Sequence, residues 1–193
     1  ELEGVVCSGA RRGKQFTYAL LDERVPPAKT LTREEALCEL VRRYFVSHGP
    51  ATLQDFTWWS GLTVTDARRG VAALQSELEQ VSYQEQTYWL ASSPITAKTT
   101  IPAAYLLPNY DEYGVAYRDR SAIFKAEDAS QLIFNHLIFL KGQLAGTWKR
   151  TLRNDAVVIE THAFAPLTKA QRQAVTATAQ RYSDFLGLSL VLA

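Results

Sequence analysis

The sequence predicts an α+β protein: a winged helix-turn-helix followed by an α+β domain with an antiparallel β-meander and a C-terminal helix. Three observations lead there. Three capped, amphipathic helical segments run from Thr32 to Leu78 and two strand-like runs follow them at once. A Ser/Thr/Pro/Ala-rich stretch at 92–104 then breaks the pattern. Beyond it, apolar runs of strand length alternate with short turns before one last helix.

Residues 1–20 read as a β-hairpin, with strands at Leu2–Cys7 and Gln15–Leu20 around the glycine-containing turn 8–14. A proline-containing linker, Val25–Thr30, follows. Thr32 with Glu35 three residues on is a capping box, and Leu37, Leu40, Val41, Tyr44 and Phe45 form one apolar helix face that Gly49-Pro50 ends. Thr52 caps a short second helix, Leu53–Ser60. After the Gly61-Leu62 turn, Thr63 or Thr65 caps a third, with Ala67, Val71, Leu74 and Leu78 on its apolar side. Val81–Tyr83 and Thr87–Leu90 make a hairpin, so the order is three helices and then a wing. The expected units are therefore 1–30, the wing of a preceding winged helix plus linker; 31–91, the winged helix-turn-helix; and 92–193, the α+β domain. In the last unit, Tyr105–Leu107 is a buried strand, and 137–140, 144–149 and 156–163 form a meander. Thr168 with Gln171 opens a helix to Phe185 striped by Val175, Ala179, Tyr182 and Leu186, and Leu188–Leu192 is a final strand.

Composition narrows the function. Of 193 residues, 47% are hydrophobic and 21% charged with a net charge of +1, which excludes a disordered chain. No run of about 20 apolar residues is present to span a bilayer, and no signal peptide opens the chain. A cytoplasmic, monomeric globule without membrane contact is expected. The chain contains no methionine and begins in a strand-like run, which reads as a C-terminal fragment whose missing N-terminal part would be its first partner.

Cys7 and Cys38 sit in apolar runs and read as buried thiols, while His48, His136 and His162 are scattered. No metal or cofactor is expected. The densest polar cluster runs from Asn109 through Asp111 and Glu112 to Arg118 and Arg120; it reads first as an ion-pair network and second as an acid/base or anion site. For nucleic acid, the third helix is the natural reader. Asp66, Arg69, Gly70 and Ala73 lie opposite its apolar stripe, Arg68 sits at the edge, and Thr63 and Thr65 stand near its N-terminus. Yet residues 31–90 hold 5 Lys/Arg against 8 Asp/Glu, an acidic balance that points as readily to packing on protein. Residues 131–193 hold 7 Lys/Arg against 3 Asp/Glu. Arg11, Arg12 and Lys14 on one hairpin tip, and Lys149, Arg150 and Arg153 beside Trp148 on another, are candidate duplex-DNA contacts.

Three blocks then carry a resemblance. The first comprises Tyr44, Gly49-Pro50-Ala51-Thr52, Asp55-Phe56 and Trp59-Ser60-Gly61-Leu62. The second is Leu106-Leu107-Pro108-Asn109-Tyr110-Asp111-Glu112-Tyr113 with Tyr117-Arg118-Asp119-Arg120. The third is Gly142 with Gly146-Thr147-Trp148-Lys149-Arg150, and Arg181-Tyr182 and Phe185-Leu186-Gly187 also fit. In this order they resemble a bacterial winged-helix family that includes interstrand-crosslink DNA glycosylases of the azinomycin-resistance type. The resemblance implies tandem winged helices around a DNA channel, in a protein that excises N7-alkylated guanines and unhooks crosslinks without metal or cofactor. The catalytic Gln-hydrophobic-Gln motif of that family lies far upstream of these blocks. Gln84-Glu85-Gln86 and Gln171-Arg172-Gln173 carry charged central residues, so no catalytic residue is assigned in this chain. A DNA-repair function in the parent protein and a non-enzymatic, regulatory DNA-binding module are the two readings that follow.

Overall fold

The computed structural model describes residues 3–13, 15–25, 29–92, 102–124 and 135–193. It is a mixed α/β structure with antiparallel sheets and a C-terminal helix. The N-terminal hairpin pairs β1 (Val6–Ser8) with β2 (Tyr18–Leu20), shorter than the sequence predicts, and continues into a single turn, α1 (Leu21–Arg24). Leu2, Lys14 and residues 26–28 of the linker lie outside the described residues.

Three helices follow: α2 (Arg33–His48), α3 (Leu53–Ser60) and α4 (Val64–Ala73). Full capping boxes at Thr32/Glu35 and Thr52/Asp55 satisfy the first amides of α2 and α3, and Gly61 ends α3 in the left-handed conformation (φ 70°). Thr63, not Thr65, caps α4. The hairpin of β3 (Leu78–Tyr83) and β4 (Gln86–Ala91) packs back on α2, and Ala51 exchanges both backbone hydrogen bonds with Trp89. Leu78, expected on the third helix, instead opens β3, because α4 ends at Ala73 and residues 74–77 turn the chain. Leu37, Val41, Tyr44, Phe45, Phe56, Ala67, Val71 and Leu74 form the core of this part, with Cys38 half-buried at its margin.

The second core belongs to a five-stranded sheet in the order β5-β6-β7-β8-β9: β5 (Ala104–Leu107), β6 (His136–Leu140), β7 (Gln143–Leu152), β8 (Ala156–Ala163) and β9 (Ser189–Leu192). All neighbours are antiparallel except β8 and β9, because α6 (Lys169–Leu186) crosses the sheet between them. Alternation gives the sheet two apolar faces. Ala104, Ile138, Leu140, Trp148, Val157 and Ile159 meet Val175 and Ala179 of α6, while Leu137 and Phe139 meet Phe124 on the other side.

One irregularity decides which side chains face where. Phe139 pairs with Leu144 but Ile138 with Gly146, so Ala145 is an extra residue in β7. That bulge resets the alternation of everything beyond it. Gly146 also lies close against β8. A methyl group there would run into the His162 carbonyl oxygen and stand 2.9 Å from Ala163 Cα.

Candidate nucleic-acid interface

The outer surface of α4 is a closed set of ion pairs. Arg69 contacts Glu34 at 2.6 Å and Asp66 at 3.9 Å, and Arg33 reaches Asp66 at 3.4 Å. Thr63 donates its hydroxyl to Asp66 and accepts the Asp66 backbone N–H, so it is used within the cap. Gly70, expected on the exposed side, faces inward: an added Cβ would meet Val41 Cγ2 at 2.5 Å. Gly70 is what lets α4 pack closely on α2. Thr65 and Arg68 are exposed, and Arg68 forms no ion pair among the described residues.

The basic residues of β7 do not form one patch. Trp148 is buried on the α6 side of the sheet and donates its indole N–H to the Leu107 carbonyl at 2.9 Å. Arg150, two residues on, shares that side. Its guanidinium lies 5.5 Å from the Tyr182 ring centroid and donates to the Tyr182 hydroxyl. Lys149 is exposed on the opposite side, and Arg153 is exposed in the turn before β8. His136 sits across from Trp148 in the adjoining strand, and burial, then the charge of Arg150, holds its imidazole below its ordinary value. On the first hairpin, Arg11 stacks 4.5 Å over the Phe16 ring and Arg12 is exposed.

The polar cluster after Pro108 is a joint rather than a set of internal ion pairs. The pairs expected between Asp111 or Glu112 and Arg118 or Arg120 are not formed. Asp111 caps a one-turn helix, α5 (Glu112–Val115), by accepting the Tyr113 N–H. Glu112 turns to the helical core instead, where its carboxylate accepts from His48 Nε2 at 3.1 Å and from the Trp59 indole N–H. Tyr117 donates its hydroxyl to the His48 carbonyl at 2.9 Å.

Asp55 anchors the same joint. It is 4% exposed and takes four donors: Thr52 N and Oγ1 on Oδ2, and the Arg118 and Asp119 backbone N–H groups on Oδ1. Tyr44 stacks on His48 with ring centroids 4.6 Å apart, against Phe56 and Trp59. Burial first, and Asp55 second, hold the phenol of Tyr44 well above the usual tyrosine range and raise that of Tyr117. Groups so reluctant to ionise act as neutral scaffold. Among the described residues no group of three or more His, Cys, Asp or Glu could hold a metal ion. Among the same residues no helix is long and apolar enough to cross a membrane.

This architecture has a solved counterpart. The fold is similar to that of the DNA glycosylase AlkZ of Streptomyces sahachiroi, with a TM-score of 0.74 and 19% identity over 98% of this chain and 55% of that one. The DNA glycosylase AlkZ-like family model matches residues 1–185, and the chain belongs to that family. A curated relative, the interstrand DNA cross-link repair glycosylase of the same organism, is 21% identical over 160 residues. That alignment covers 76% of this chain and 43% of the relative, so the chain spans about half the length of the proteins it matches.

Proposed function

We propose that this chain is the duplex-gripping, C-terminal part of a bacterial DNA-repair glycosylase acting on N7-alkylguanine or interstrand crosslinks, and that the catalytic pair lies outside it. The observation that carries this reading is the family match across residues 1–185. Residues 31–91 are read as a winged helix-turn-helix, since α2, α3 and α4 precede the β3–β4 hairpin that serves as wing. Residues 1–30 are read as the wing and linker of a unit before it, and 92–193 as the α+β unit.

The charge layout favours grip by the hairpins over grip by α4. Arg69 and Thr63 are engaged inside the protein, and Asp66 in the first turn opposes a phosphate at the helix N-terminus. The proposed phosphate contacts are therefore Arg11, Arg12, Lys14, Lys149 and Arg153 on the hairpins. Thr65 and Arg68 of α4, which stand outside its ion pairs, join them, and Arg150 is recruited only if it leaves Tyr182. N7 alkylation places positive charge on the guanine ring and makes it a good leaving group. A polar pair that orients water against the developing oxocarbenium ion then suffices, without metal or cofactor.

A second reading is a non-enzymatic DNA-binding module on the same scaffold; the Gln-hydrophobic-Gln motif of the family, which lies upstream of these blocks, is what separates the two. Binding of a fluorescent duplex across a salt series tests the grip. Replacing Arg68, Lys149 and Arg153 together by alanine is expected to lower the slope of log K against log salt by up to about 2.7, at about 0.9 per lost phosphate contact. An unchanged slope removes these residues from the DNA path. Release of 7-methylguanine from duplex by the parent protein separates repair from regulation.

A further inference from the structure

Beside the joint, two hollows of about 820 and 480 Å³ adjoin, sharing Thr52, Asp55, Gln86 and Asp119 in their walls. Together they form a trough between the β3–β4 hairpin and residues 118–123. Either volume falls in the range of small-ligand sites.

The walls have a particular chemistry. Tyr83 and Tyr88 come from the hairpin, and Tyr113 and Tyr117 from the facing segment. Phenols are uncharged at neutral pH, and burial raises those of Tyr113 and Tyr117 further. Gln84 and Gln86 add carboxamides, each with donors and an acceptor in one plane. Asp119 is held low by the Ser121 N–H and is a fixed carboxylate.

Two features of the trough stand out. Arg120 lines it with its guanidinium 5.9 Å from the Trp58 ring centroid, and its buried Nη1 has no acceptor among the described residues, although a guanidinium donor shut away from water normally has one. The hairpin tip also holds Gln84 and Glu85 both in the left-handed region, at φ 47° and 63°. A two-residue turn of that shape is most cheaply built with Asn-Gly, and residues with a Cβ enter it against steric resistance. By contrast the Lys141-Gly142 turn places glycine at its second position. Strain at the tip is the condition for suspending two long polar side chains over the trough.

Stacking faces, amide edges and an unsatisfied guanidinium in one hollow match a planar heteroaromatic ring with a mixed hydrogen-bonding edge and an attached anion. Three carboxylates, Asp55, Glu85 and Asp119, stand against Arg118 and Arg120 in the lining, so the trough is no track for a polyanion. Its size suits a single unit. We propose that this trough binds one unpaired nucleotide, its base against the tyrosines and the Gln84 and Gln86 amides and its phosphate on Arg120. Only the origin of that nucleotide, extruded from DNA or free in solution, rests on the function proposed above.

The test is titration of the 193-residue chain with dGMP, with deoxyribose 5-phosphate as the baseless control, followed by tryptophan fluorescence and by NMR of the tyrosine rings. The dGMP is expected to bind and the control is not. Arg120→Ala is expected to weaken binding about tenfold, the usual worth of one hydrogen bond to a charged group. Gln86 lies on the exposed end of β4, so Gln86→Ala keeps the fold while weakening dGMP. Gln84→Gly carries the sharpest expectation, a higher Tm from released strain together with weaker nucleotide binding. Equal binding of dGMP and the control, or wild-type affinity in all three variants, overturns the proposal. Competition by a duplex with one bulged nucleotide assigns the source to DNA; dGMP binding without such competition supports the site and assigns it to free nucleotide. Alanine at Lys149 and Arg153 should leave dGMP affinity unchanged, so failure of the duplex grip and failure of the trough are read separately.

Discussion

Replacing Asp55 by alanine tests the joint between the helical part and the segment after Pro108. The wild-type carboxylate accepts Thr52 N at 2.9 Å, Thr52 Oγ1 at 2.7 Å, Arg118 N at 2.9 Å and Asp119 N at 3.4 Å. Removing it strands the Thr52 amide in a buried site and the Arg118 amide at a partly buried one. A buried donor left without an acceptor costs about 1–3 kcal/mol, so roughly 3 kcal/mol is expected for the pair. In a chain of this length that lowers Tm by about 6–12 °C. Thr52→Ala is the matched control, because it removes the cap hydroxyl but leaves Asp55 bonded to Arg118 and Asp119; losing a cap costs about 1 kcal/mol. Urea unfolding followed by tryptophan fluorescence measures both. The excess of about 2 kcal/mol in Asp55→Ala then reports the cross-segment bonds together with the stranded Thr52 N–H. Equal losses in the two variants would refute the joint, since they would mean that Asp55 acts only as part of the α3 cap.

Two further outcomes follow from the sheet. Gly146→Ala forces a methyl group against the β8 backbone at His162 and Ala163, and overpacking of this kind costs about 1–3 kcal/mol; denaturant melts should show the loss, and a wild-type midpoint would mean that β7 and β8 can separate there freely. The folded His136 value lies below the 6.5 of an unperturbed histidine, so the unfolded chain takes the proton more readily. The stability this contributes is full above about pH 6.5 and is lost as pH falls through the window beneath it. An NMR titration of the His136 ring should show the lowered value. Arg150→Ala should raise it only in part, because burial is the larger cause; a wild-type His136 titrating at or above 6.5 contradicts the arrangement.

The helices were legible because their signals are local. Thr32 with Glu35, Thr52 with Asp55, and Thr168 with Gln171 each close a cap within three residues, where the amide and its acceptor are chain neighbours. The apolar stripe of α6 reads correctly for the same reason, with Val175 and Ala179 buried at helical spacing. The Lys141-Gly142 turn likewise announces the β6–β7 hairpin. Candidate site residues were harder, because a charge in sequence does not carry its partner with it. Arg69 reads as a free surface cation until Glu34, 35 residues away, is found beside it.

Sequence by itself determined where α2, α3 and α6 begin, which faces of α2 and α6 are apolar, and that an antiparallel meander follows a helical unit. Only tertiary structure decided that Arg150 packs on Tyr182 while Lys149 points to the other side, since one extra residue at Ala145 resets the alternation. Tertiary structure alone sends Glu112 to His48 and Trp59, and brings the backbone of Arg118 and Asp119 onto Asp55. The physical reason is range. A cap, a turn or a stripe is satisfied by neighbours within a few residues, whereas a buried carboxylate takes whichever donor the packed chain delivers to it.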